Sequence, residues 1–87
     1  VSEAKLTKEY IDAVLDHAEL HISRQGEKTC VVVAKLRNGF EIVGTSACVD
    51  PANYDEEEGK RIALQQIEDK LWELEGYRLQ CAVTGDP

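Results

Sequence analysis

Asn38-Gly39 sits between two apolar, β-branched runs, and this arrangement calls for a β-hairpin. Both residue types accept the positive φ that a tight hairpin turn requires. Residues 28–37, with Val31, Val32 and Val33, read as one strand, and residues 40–47 as its return. A two-residue turn would pair Arg37 with Phe40, Lys35 with Ile42 and Val33 with Gly44. Val32, Ala34 and Leu36 would then share the other face with Thr45, Val43 and Glu41. Both faces are partly apolar, so one is expected to pack on helices and the other to meet another subunit.

Helices are expected on either side of the hairpin. Thr7 reads as an N-cap, and Ile11, Val14, Leu15, Ala18 and Ile22 recur at spacings of three and four. Gly26 marks the expected end of this first helix, with residues 1–6 as a short lead-in. A second helix opens around Asp50-Pro51 and Asn53, where Asn53 and Glu56 have capping-box spacing. Its core stripe is Ala63, Leu64, Ile67, Leu71 and Leu74, and Gly76 closes it. Tyr77 to Val83 alternates apolar and other residues and reads as a third strand. The expected order is α-β-β-α-β: a single α+β domain over 1–87, with a small, mainly antiparallel sheet packed on two helices.

Eighty-seven residues bury a marginal core, so a source of extra burial is expected. The three cysteines, Cys30, Cys48 and Cys81, are odd in number and form no Cys-x-x-Cys pair. With no signal-peptide-like segment, a reduced cytosolic compartment is expected, and oligomerisation replaces disulfides as the stabilising device. Leu20, Ile62 and Trp72 point away from the two helical stripes and are the expected interface residues. No apolar run reaches the length of a membrane span. A net charge of −7 disfavours direct DNA or RNA binding, though a local pocket can still take a small anion.

The connection from Gly44 to Asp55 gathers Cys48, Asp50, Pro51, Asn53 and Tyr54, and connections of this kind concentrate binding residues. Asn53 and Tyr54, with the start of the second helix, form one candidate ligand site. Phe40 or Tyr54 would stack on a base, and Arg37, Arg61 or Arg78 would supply a guanidinium to phosphates. The competing reading gives Asp50, Pro51 and Asn53 to turn geometry alone. Glu56, Glu57 and Glu58 would repel a phosphate from that helix end and read as a solvated face. Gly59 within a helix costs about 1 kcal/mol against Ala and implies close approach of another element.

His17 and His21 have a spacing compatible with one metal on a helix, but no clear third ligand accompanies them. With Tyr10 they read instead as a polar-aromatic rim at an interface. Cys48 has no histidine near it in sequence and reads as an ordinary, partly buried thiol. No catalytic constellation, metal or cofactor is expected, and the protein is read as a non-enzyme.

Asn38-Gly39-Phe40, the run from Gly44 to Asp55, Gly59, Ala63 and Trp72-Glu73-Leu74-Glu75-Gly76-Tyr77 together resemble a small phage and prophage protein family named for two podophage gene products, forty-nine and sixty-six. The resemblance covers roughly residues 28–80 and implies an accessory, non-virion protein in the host bacterial cytoplasm. The size and the helix, hairpin and helix plan also resemble the Thoeris anti-defence sponges. That likeness implies an oligomer that sequesters a cyclic ADP-ribose-type nucleotide without cleaving it. It places no ligand residue in this chain. The alternative expectation is an acidic protein-binding inhibitor, or nucleic-acid mimic, that uses residues 50–58 against a host protein.

Overall fold

The computed structural model describes residues 5–48, 50, 52 and 55–85. The elements are α1 (Lys8–Asp16), β1 (Glu19–Gln25), β2 (Thr29–Lys35), β3 (Glu41–Ala47) and α2 (Glu56–Thr84). The domain is α+β, with a small antiparallel sheet in the order β1-β2-β3 packed against helices. The element order is therefore α-β-β-β-α, not α-β-β-α-β.

The first correction lies at residues 19–25. The apolar spacing from Ile11 to Ile22 suits a helix, but the helix stops at Asp16, with His17 as its C-cap. Leu20 and Ile22 also satisfy a two-residue period, and β1 pairs with β2 over seven consecutive positions, from Glu19↔Lys35 to Gln25↔Thr29. The cross-strand ladder outweighs a helical continuation that would leave that side of β2 unpaired. Gly26, with φ +75°, serves the β1–β2 turn and does not end a helix.

The second correction is the hairpin register. Gly39 N–H donates to the Leu36 carbonyl at 2.9 Å, and Leu36 N–H donates to the Phe40 carbonyl at 2.8 Å. This is a three-residue loop of Arg37, Asn38 and Gly39, with Gly39 at φ +92°. The extra residue shifts the pairing to Lys35↔Glu41, Val33↔Val43 and Val32↔Gly44. A shift of one residue exchanges faces, so Val32 and Ala34 share the core face with Ile42 and Gly44.

The third correction is the C-terminal segment. Residues 77–83 continue α2, which runs 29 residues to Thr84 and ends on Gly85 at φ +79°. Gly76 lies inside the helix with Leu6 against it. The N-cap is Asp55, whose carboxylate accepts the Glu57 and Glu58 N–H groups at 3.0 and 3.3 Å. The expected cap, Asn53, lies outside the described residues.

The core contains Ile11 of α1; Cys30, Val32 and Ala34 of β2; Leu36 and Ile42; and Ala63, Ile67 and Leu71 of α2. Two glycines bring α2 onto the sheet. A Cβ on Gly44 would collide with the Ala63 carbonyl, and one on Gly59 would lie 2.9 Å from Ser46 Oγ and 3.1 Å from Cys30 Cβ. Ser46 Oγ also donates to the Gly59 carbonyl at 2.9 Å. The helical cost of Gly59 is thus explained by the close approach of the hairpin. Trp72, expected to point away, is half-buried against the core. Leu20 and Ile62 are both exposed.

Candidate functional site

α1, the β2–β3 loop and α2 enclose a groove of about 360 Å³. Burial of Ile11 fixes the rotation of α1. Tyr10, Ala13, Val14 and His17, at spacings of three and four, then form one wall. Leu36, Arg37 and Asn38 form the second wall, and Glu75 and Arg78 the third.

Arg78 is held by a closed set of contacts. Its Nε donates to Glu75 Oε1 at 2.9 Å and its Nη2 donates to the Tyr10 hydroxyl at 2.9 Å. Tyr10 in turn donates to Glu75 Oε1 at 3.4 Å. The Glu75 side chain is largely covered, whereas that of Arg78 is well exposed. The hydrogen bond to Glu75, the negative charge of that carboxylate and the neighbouring phenol raise the Arg78 pKa above its ordinary value. Arg78 is therefore a positioned cation with further N–H donors available to a ligand. Arg37 is exposed, with no ion pair among the described residues. Asn38 Oδ1 accepts the Phe40 N–H at 2.9 Å, which orders the loop carrying Arg37. A second groove of about 430 Å³ lies across the Tyr10–Arg78 contact and is bounded by Lys5, Leu6, Thr7, Leu79 and Ala82.

The structure thus brings together two of the three arginines singled out in the sequence. Phe40 is exposed at the adjacent hairpin end. Arg61 lies elsewhere, beside a separate groove with Leu15, Leu20 and Leu64, and donates to Glu58 at 2.6 Å. Asn53 and Tyr54 lie outside the described residues. Asp50 Oδ1 accepts the Ala52 N–H at 3.0 Å, the local turn bond that geometry alone requires. Cys48 Sγ donates to the Asp50 carbonyl at 3.2 Å.

His17 caps α1 and faces the groove, while His21 lies on β1, so the helical metal spacing does not apply. Among the described residues, no group of three His, Cys, Asp or Glu side chains is placed to hold a metal. Glu75 was missed by the sequence reading. Its i,i+3 relation to Arg78 is a helical signal, hidden by reading residues 77–83 as a strand.

The architecture defines a small α+β domain: an open three-stranded sheet beneath one long helix, with a groove carrying two arginines at the seam of the two helices. Residues 6–83 match the family described as Phage protein (N4 Gp49/phage Sf6 gene 66), and the chain belongs to that family. No curated protein and no solved structure matches it. No helix among the described residues is long and apolar enough to cross a membrane.

Proposed function

We propose that this phage protein is an accessory binding protein that captures a small cyclic nucleotide of the cyclic ADP-ribose type without cleaving it, as a counter-defence factor in the host bacterial cytoplasm. The observation that carries this reading is the convergence of Arg37 and Arg78 on one groove with Tyr10 and His17. Two guanidinium groups suit a pyrophosphate or phosphodiester, and Tyr10 offers an aromatic surface to a base. The overall charge of −7 opposes long polyanions but leaves this local cationic pair able to take a compact anion. In this reading the protein is a homo-oligomer, with Phe40 and Arg61 placed to complete sites between subunits.

Calorimetric titration with cyclic ADP-ribose isomers and cyclic dinucleotides tests it. The expected result is micromolar or tighter binding, recovery of intact ligand, and at least about tenfold weaker binding for Arg78→Ala and Arg37→Ala. Absence of binding to all of these ligands overturns the reading, as does release of a cleaved product.

A second reading rests on Asp55, Glu56, Glu57 and Glu58, all exposed at the start of α2. This acidic tip suits a basic surface on a host protein. A salt-sensitive partner captured from host lysate, and lost when Glu56 and Glu57 are changed to Gln, would favour it.

A further inference from the structure

We infer that β1 is a self-association edge, which pairs antiparallel with β1 of a second copy to make a continuous six-stranded sheet. The inference is independent of any ligand in the groove. The sheet has two outer strands, and they differ. α2 lies over β3, and the Gln66 side chain accepts the outward Thr45 N–H at 2.9 Å, occupying part of that edge. Along β1 every residue is exposed. The strand contains no proline, and its pairing with β2 is uninterrupted over all seven positions. It has none of the bulges, prolines or covering elements that normally blunt an edge.

The direction of the free hydrogen-bonding groups follows from the register. Leu36 N–H and the Lys28 carbonyl bond toward β3, so the even-numbered residues of β2 face β3 and the odd-numbered ones face β1. His21, opposite Val33, therefore spends its backbone groups on β2. The backbone N–H and C=O groups of Leu20 and Ile22 point out from the sheet. The side chains of Leu20 and Ile22 lie on the helix-bearing face, beside the buried Ala34 and Val32, yet both remain exposed.

A second copy satisfies these groups better than a generic peptide does. A two-fold axis at His21 sets Leu20 opposite the partner's Ile22, and Ile22 opposite the partner's Leu20. Both pairs use outward backbone groups, and both cover apolar side chains. β1 also carries Glu19 at its start and Arg24 near its end. β1 is thus close to neutral within a strongly acidic chain, so self-pairing escapes the repulsion that its net charge imposes elsewhere.

The test is sedimentation of the full chain over a range of concentrations, with hydrogen exchange of β1. The expected result is a dimer or an even-numbered assembly at tens of micromolar, with Ile22 N–H exchange slowing as concentration rises. Leu20→Lys and Ile22→Lys should each shift the protein to monomer with an unchanged far-ultraviolet circular dichroism spectrum. Val43→Lys, on β3, should leave assembly intact. If either β1 variant loses its fold, the wild-type exchange of Ile22 N–H decides the question alone. A wild-type monomer at these concentrations overturns the inference. So does an assembly that survives both β1 variants, or one whose Ile22 N–H exchange is independent of concentration.

Discussion

Arg78 and Tyr10 meet side chain to side chain, guanidinium to phenol at 2.9 Å, and tie the distal half of α2 to the first turn of α1. Tyr10 is held in that first turn, where its N–H donates to Thr7 Oγ1 at 3.2 Å. The contact is exposed, and exposed polar pairs contribute at most about 1 kcal/mol. Tyr10→Phe and Arg78→Ala should therefore each lower unfolding free energy in urea by no more than about 1 kcal/mol. A larger loss would mean that binding defects in these variants report on folding.

Gly44 is the least replaceable glycine. The Ala63 carbonyl occupies the space a Cβ would need, with Ile67 immediately behind it. Both neighbours belong to the buried surface of α2. Gly44→Ala should cost about 2–3 kcal/mol, the upper range for overpacking a close-packed core. A thermal melt within a degree of wild type would refute this.

Gly76 has the opposite sign. A Cβ there would meet only Leu6 Cδ1, at 3.9 Å, an ordinary contact, and the helix continues through it. Gly76→Ala should stabilise the protein by about 0.5–1 kcal/mol through helix propensity and a less flexible unfolded chain. Chemical denaturation measures it, and destabilisation would place something else against that face of α2.

Glu58 provides a pH prediction. The hydrogen bond from Arg61, followed by its charge, holds the Glu58 carboxyl below its ordinary value of 4.5. A depressed folded-state value means the pair stabilises above the unfolded pKa and that this contribution is lost as pH falls through the lower, folded-state value. Carbon-detected NMR titration should show Glu58 titrating below 4.5, and Arg61→Gln should return it toward that value. Both side chains are exposed, so the accompanying change in stability should be small and weakened by salt.

Local residue preferences alone specify the two-stranded hairpin, the Thr7 cap of the first helix and the Ala63, Ile67 and Leu71 stripe of the second. In each case the local preference and the buried pattern agree. The sequence also singled out Arg37 and Arg78, because a guanidinium signals anion chemistry wherever it lies. Their meeting in one groove was not legible, since residues 77–83 fit a two-residue period as well as a helical one. Leu20 and Ile22 are ambiguous for the same reason: a short apolar segment cannot distinguish strand from helix until a partner is present. The tertiary structure made those choices. β2 had backbone groups to satisfy on its open side and drew residues 19–25 into the sheet. The contacts of Leu6 and Tyr10 with α2 accompany the continuation of the helix through Gly76 and carry Arg78 to the groove. One added loop residue, Arg37, then set which residues of β3 join Val32 and Ala34 beneath α2, because a shift of one position along a strand exchanges its two sides.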